Sequence, residues 1–149
     1  MSEQAQGTAT ADSTLRRLQN RDATVGVIGL GYVGLPLAEA FGHAGFPIMG
    51  FDIDSGKVDQ LNEGESYIQR VTDESVGELL EEDQFEATAD FDRLSEPDCI
   101  IICVPTPLRE SREPNMTYVR RTADAVGEAL RPGQLVVLES TTYPGTTRE

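Results

Sequence analysis

The sequence predicts an α/β fold: a doubly wound, mainly parallel sheet with helices on both faces, built as a single domain. Three observations lead there. From Thr24 onward, short apolar runs alternate with segments of helical spacing. One run, Cys99–Val104 (CIIICV), is apolar without a break, as strands are when both faces of a parallel sheet are covered. The length of 149 residues suits one domain with a real core. Strand–helix–strand order then specifies parallel pairing, because the crossover lays its helix on a face of the sheet.

Each element follows from local chemistry. Residues 1–22 are mostly small and polar and read as a flexible N-terminal extension, with only Asp12–Leu18 suggesting a short helix. The domain proper spans 23–149. Val25–Gly29 is the first strand. Val33–His43 repeats Leu35, Leu37, Ala38, Ala40 and Phe41 at helical spacing and stops at Gly45. Phe46–Asp52 is a second strand ending in an acid. Ser55–Leu61 is a short helix capped by Asp54 or Ser55. Thr72–Glu82 places Val76, Leu79 and Leu80 on one helix face, followed by a strand at Phe85–Thr88 and a single turn at Phe91–Leu94. Beyond Cys99–Val104, Pro105–Pro114 is a loop. Tyr118–Leu130 is a helix ended by Pro132-Gly133, and Leu135–Leu138 is a last buried strand.

Charge excludes several functions. Acidic residues number 26 against 12 basic, a net charge of −14. Nucleic-acid binding needs clustered Lys and Arg, and an anionic membrane surface would be repelled. No apolar run approaches the ~20 residues of a membrane span, and no signal-peptide stretch opens the chain. A cytoplasmic domain is the expectation. Lys57 is the only lysine. Such an acid-rich, lysine-poor composition fits either adaptation to high salt or arginine-favouring codon usage.

The most informative segment is Gly29-Leu30-Gly31-Tyr32-Val33-Gly34, a G-x-G-x-x-G turn between an apolar strand and an amphipathic helix. Gly29 permits the tight turn, Gly31 lets backbone approach a pyrophosphate, and Gly34 lets the helix pack closely on the strand. The helix start offers unpaired N–H groups to phosphate. Asp52 follows 18 positions after the last glycine, near the ~20 expected for the acid that binds the adenosine ribose. A carboxylate there suits NAD and repels the 2′-phosphate of NADP. Asp54 either takes that role instead or caps the next helix. Lys57 either reaches the adenosine end or snorkels at the surface. The pattern is Rossmann-like, with NAD as cofactor.

Together with Gly50-Phe51-Asp52-Ile53-Asp54, Val104-Pro105-Thr106-Pro107-Leu108 and the run from Glu139 to Thr147 (ESTTYPGTT), this turn resembles the UDP-glucose/GDP-mannose dehydrogenase family. The blocks run in the family's order from about residue 23 to the C-terminus. The PTPL and ESTTYPGTT forms look most like the branch that oxidises UDP-N-acetylglucosamine or UDP-N-acetylmannosamine at C6. The resemblance implies a two-step oxidation of the sugar's C6 alcohol to the carboxylate with two NAD. It places the catalytic cysteine, lysine and asparagine beyond Glu149, so this chain would bind NAD without turning over. It also implies that a UDP-sugar is bound through further domains and that the whole enzyme is a homo-oligomer.

By the same resemblance Gly29–Gly34 lies around the pyrophosphate, Asp52 on the ribose, Lys57 at a position often basic, and Val104, Pro105 and Thr106 along the cofactor. Ser140 and Thr141 match a pair near the nicotinamide, with Thr141 as the candidate catalytic residue that positions a reacting oxygen. Read from spacing alone, the two hydroxyls either do that or satisfy a turn. The alternatives are a 3-hydroxyacid or 6-phosphogluconate type of dehydrogenase, or a non-catalytic NAD-sensing module.

Other tempting residues carry less. Cys99 and Cys103 lie about 13 Å apart along one strand face, too far for a disulfide, and read as small core hydrophobes. His43, the single histidine, suits a helix C-terminus and has no companion ligands, so no metal is expected. Glu78, Glu81, Glu82 and Asp83 read as a solvated face. Arg109 and Arg112 in the proline-flanked loop are placed by the resemblance near phosphate or a neighbouring subunit.

Overall fold

The computed structural model describes residues 12–104 and 117–139. Five strands, β1 (Val25–Ile28), β2 (Ile48–Phe51), β3 (Phe85–Thr88), β4 (Cys99–Ile102) and β5 (Leu135–Leu138), form one sheet in the order β3-β2-β1-β4-β5. Every pairing is parallel. Five α-helices accompany them: α1 over residues 12–19, α2 (Gly34–His43), α3 (Ser55–Asn62), α4 (Asp73–Glu81) and α5 (Thr117–Ala129). A 3-10 turn covers Phe91–Ser95. The doubly wound, single-domain α/β reading is correct.

Strand alternation divides the core between the two faces. Val25, Val27, Ile48, Phe85, Ala87, Cys99 and Ile101 pack with α2, α3 and α4 through Leu35, Ala38, Val58, Leu61, Val76 and Leu79. Ile28, Met49, Phe51, Ile100 and Ile102 point the other way, onto Leu94 of the 3-10 turn and Val126 of α5. β1, β2 and β4 are buried throughout because both faces are covered. Caps set the helix starts: Asp54 accepts from the Gly56 and Lys57 N–H groups at α3, and Thr72 from Ser75 N–H at α4.

Two expectations need correction. Within the stretch 1–22 that the sequence assigns to a flexible extension, residues 12–19 form α1, where a short helix is suggested at Asp12–Leu18, and α1 is docked on the domain rather than loose. Arg17 Nη1 reaches Asp98 Oδ1 at 2.6 Å, Thr14 Oγ1 donates to the Gly133 carbonyl at 2.6 Å, and Leu18 packs against the core. Asp98, 3% exposed, also accepts from Thr24 N–H at 2.9 Å and Arg131 Nη2 at 3.2 Å. Two arginines far apart in sequence thus close on one acid, which no local period reveals. The last strand is also less buried than its LVVL sequence suggests. β5 pairs with β4 at the sheet edge, leaving Leu135 and Val136 46% and 40% exposed.

The register decides where chemistry can occur. Ile28 pairs with Phe51 and with Ile102, Phe51 with Thr88, and Ile102 with Leu138. The strands therefore end at one level, and the residues that follow them, Gly29, Asp52, Cys103 and Glu139, emerge side by side. β1 and β4 are neighbours in space but not in sequence, so the chain changes direction of winding between them. Ligands of open parallel sheets bind in the crevice at such a switch point.

Candidate functional site

A cleft of about 810 Å3 opens over that edge. Gly29, Leu30, Gly31, Tyr32 and Val33 form its floor, with Asp52, Ile53, Asp54 and Lys57 on the β2 side and Cys103, Val104 and Glu139 on the β4–β5 side. The sequence-predicted residues Gly29–Val33, Asp52, Lys57 and Val104 are thus brought together. Gly34, just beneath, begins α2. Pro105, Thr106, Ser140 and Thr141 lie outside the described residues, as do Arg109 and Arg112.

The three glycines are required by different things. Gly29 has φ of +93°, and a Cβ there would sit 2.6 Å from the Cys103 carbonyl oxygen. A Cβ on Gly34 would lie 1.7 Å from the Gly29 carbonyl oxygen, so only glycine lets α2 start so close to β1. A Cβ on Gly31 would meet nothing within 4 Å. No protein atom demands a glycine there. The demand fits a ligand that lies against the bare backbone of the turn.

The start of α2 is also prepared for an anion. Its N-cap, Val33, makes no side-chain cap, and its first turn has no acid. Leu35 N–H is taken by the Gly31 carbonyl at 3.1 Å and Pro36 has no N–H, so the helix dipole and the backbone before α2 are what favour a phosphate. Tyr32, Val33 and Ile53 are exposed by 81%, 60% and 76%, and all three line the cleft. Large apolar side chains clustered in a crevice mark a surface made to be covered. Leu30 differs from its neighbours: its side chain is fully buried, and only its backbone faces the cleft.

Asp52 is held firmly. Its Oδ2 accepts from Leu30 N–H and its Oδ1 from Asp54 N–H, each at 2.9 Å. A carboxylate has about four lone-pair positions, so two remain for a ligand's hydroxyls. Asp54 is committed to capping α3. Lys57 Nζ sits 5.3 Å from the centroid of the Tyr67 ring, a cation–π contact at the cleft wall. On the opposite wall Cys103 is half-buried, and burial, aided by Glu139, pushes its thiol up to about 11. The cysteines are free, as the sequence reading expects. A dinucleotide fits this donor set: bare backbone and helix start for the diphosphate, a buried carboxylate for a ribose, and exposed apolar side chains for a base.

A family model describing the NAD-binding domain of the UDP-glucose/GDP-mannose dehydrogenases matches residues 23–149. The chain belongs to the UDP-glucose/GDP-mannose dehydrogenase family. The matched part is that family's NAD-binding domain, and NAD is its cofactor. The chain is 37% identical over 129 residues to a UDP-N-acetyl-D-glucosamine 6-dehydrogenase of Pseudomonas aeruginosa, covering 87% of this chain and 30% of that protein. It is 40% identical over 127 residues to a UDP-N-acetyl-D-mannosamine dehydrogenase of Escherichia coli (strain K12), covering 85% and 30%. The solved UDP-D-ManNAc dehydrogenase of Pyrococcus horikoshii superimposes with a TM-score of 0.79 at 36% identity, covering 84% of this chain and 30% of that one. This chain therefore spans about 30% of the length of these relatives. Membership decides against a 3-hydroxyacid or 6-phosphogluconate type of enzyme, and the branch expected from PTPL and ESTTYPGTT is that of the relatives.

Several cleft residues of this family member escaped the sequence reading. Glu139 stands at the end of β5, Phe91 opens the 3-10 turn, and Arg121 and Thr122 lie on the first turns of α5. Only Glu139 carried a signal, as the first residue after the last apolar run. The other three reach the cleft through tertiary packing. Arg121 gives the cleft a second cation beside Lys57. His43 contacts Ser75 of α4, its Nε2 lying 2.6 Å from the hydroxyl, in addition to ending α2. Among the described residues no cluster of His, Cys, Asp and Glu is placed to hold a metal, and no helix is long and apolar enough to cross a membrane.

Proposed function

We propose that this chain is the NAD-binding part of a nucleotide-sugar 6-dehydrogenase that oxidises the C6 alcohol of a UDP-N-acetylhexosamine, of the glucosamine or mannosamine type, to the uronate. One observation carries the cofactor half of this reading: the open space over Gly31, beside an uncapped helix start and the anchored Asp52 carboxylate. The substrate half rests on the relatives, which are named for those sugars. In this reading the roles divide as follows. Residues 29–34 bind the diphosphate, Asp52 receives the adenosine ribose hydroxyls, and Ile53 covers the base. Val104 lines the wall beyond β4, and the family resemblance assigns Pro105 and Thr106 to the cofactor as well. The family resemblance assigns Ser140 and Thr141 to the nicotinamide, with Thr141 positioning the reacting oxygen.

Bound NAD supplies a hydride acceptor, and oxidation of an alcohol to an acid uses two of them. Such a reaction needs a nucleophile to hold the aldehyde between the two steps. Cys103 is unsuited to that task, because its thiol stays protonated at neutral pH. The family resemblance assigns the nucleophile and the sugar contacts to other domains of a longer, homo-oligomeric enzyme, so that this chain alone binds cofactor without turnover. Calorimetric titration tests the first part: NAD should bind, and NADP should bind at least ten times more weakly. Equal affinity for the two would remove Asp52 from the ribose. Incubation with NAD and UDP-N-acetylglucosamine or UDP-N-acetylmannosamine should produce no NADH. Steady NADH formation by the 149-residue chain would overturn the division of labour.

A further inference from the structure

We propose that Tyr67 is a positioning residue for the cofactor, locking the glycine-rich turn and Lys57 into one arrangement from outside the cleft. This rests on the assignment of the cleft to NAD. Tyr67 does not line the cleft and lies in the α3–α4 connection, 37 residues from the turn it touches. Its hydroxyl donates to the Leu30 carbonyl oxygen. The same residue's N–H is taken by Asp52 Oδ2 at 2.9 Å. Leu30 is thus gripped by a side chain at its N–H and another at its carbonyl, while its own side chain is fully buried against Gly50. The Leu30 carbonyl belongs to the peptide that leads into Gly31. Fixing that plane fixes the backbone the diphosphate must meet.

The ring of Tyr67 has a second use. Lys57 Nζ lies over it at 5.3 Å from the centroid, so the chain's only lysine is held at the cleft wall. One side chain therefore couples the phosphate end of the site to its adenosine end. The surrounding loop is built to hold it. Ser66 N–H donates to Asp73 Oδ1 at 2.7 Å, Gln60 Nε2 donates to the Ser66 carbonyl at 3.3 Å, and Ile68 is buried. The phenol must be protonated to donate. Burial, followed by the charges of Asp52 and Asp54, holds it above its ordinary range, so the donor persists at any physiological pH.

Two variants separate the roles. Tyr67→Phe keeps the ring and loses the donor; Tyr67→Gln keeps a donor and loses the ring. Calorimetry on the 149-residue chain should show NAD bound about 3- to 10-fold more weakly by Tyr67→Phe, the worth of one hydrogen bond. Its unfolding midpoint should fall by no more than about 4 °C. Backbone amide resonances of Gly31, Tyr32 and Val33 should shift in free Tyr67→Phe while those of β1 and β4 stay. Lys57→Met should weaken NAD binding in the wild-type background and add little in Tyr67→Gln. A wild-type chain without NAD affinity would overturn the assignment of the cleft itself. Wild-type affinity in Tyr67→Phe, or unmoved turn resonances, would overturn the role of Tyr67 alone. Failure of both variants to fold would make Tyr67 a folding determinant and likewise overturn it.

Discussion

The Leu30 backbone N–H donates to Asp52 Oδ2 at 2.9 Å, tying the turn after β1 to the end of β2. Asp52, the proposed ribose acid, is therefore a structural anchor, and the proposed role would use the lone pairs that the anchoring leaves free. Asp52→Ala strands the Leu30 and Asp54 N–H groups. Each unpaired donor costs about 1–3 kcal/mol where buried, less where water reaches it. We expect a loss of about 2–3 kcal/mol in urea unfolding and at least tenfold weaker NAD binding. Asp52→Asn keeps one acceptor oxygen and should cost less stability while still relaxing NAD over NADP preference. An Asp52→Ala chain with full stability would contradict the anchoring role.

Gly31→Ala and Gly34→Ala should separate binding from folding. The first places its methyl in open space, so thermal stability should be unchanged while NAD affinity falls at least tenfold. The second drives Cβ to 1.7 Å from the Gly29 carbonyl oxygen and must displace α2. Its unfolding midpoint should drop by several degrees or the chain should fail to fold. Equal stability of the two variants would refute this distinction.

Asp98 anchors the docked N-terminal helix. Asp98→Ala removes the acid partner of Arg17 and Arg131, whose side chains are 47% and 39% exposed and can turn to water. Arg131 keeps its bonds to the Ser95, Glu96 and Pro97 carbonyls. The lasting cost is the unpaired Thr24 N–H, about 1–3 kcal/mol. Arg17→Ala removes one of two arginine partners of Asp98 and should cost no more than about 1 kcal/mol. Denaturant titration of both variants checks the ranking. A larger effect at Arg17 would mean that α1 docking, rather than the buried acid, dominates.

Alkali should weaken the fold. Cys99 and Cys103 are raised by burial and by neighbouring acids, and the Tyr67 phenol lies above its ordinary range. A group whose folded value is raised stabilises the fold fully below its unfolded value and loses that contribution as pH climbs through the folded one. Stability should hold from neutrality to about pH 9 and decline above it. With its thiol near 11, Cys103 should react with iodoacetamide about a hundredfold more slowly than an ordinary cysteine at pH 8. Rapid alkylation of Cys103 at neutral pH would contradict the burial and charge around it.

Net charge sets the response to salt. At −14 the protein repels an anionic cofactor at long range, while the turn attracts it locally. Salt screens the first beyond a Debye length of about 10 Å at 0.1 M and acts less on the second. NAD affinity should hold or rise as salt is added. A steady fall in calorimetric affinity would place the decisive attraction at the surface cations Lys57 and Arg121 instead.

Much of this site was legible before folding because its requirements are local. A glycine turn between a strand and a helix, followed at a set distance by Asp52, fixes the cofactor class through backbone sterics and chain spacing alone. Apolar runs of one side-chain period set β1, β2 and β4, and Asp54 and Thr72 announce the helix starts they cap. Those features depend on neighbours within a few residues, which a sequence displays.

Tertiary structure decided what depends on distant partners. Arg17 and Arg131 converge on Asp98 from opposite ends of the chain, turning an expected loose extension into a docked helix. Arg121 and Thr122 enter the cleft only because α5 packs beside the 3-10 turn at Phe91–Ser95. Tyr67 meets Leu30 and Lys57 only because α3 folds back on the sheet. By itself the sequence determined a parallel sheet with a dinucleotide turn, since backbone geometry and side-chain period act over short range. The walls of the cleft, its second cation and the clamp on its turn were decided by packing, since sheet order and register alone bring such residues together.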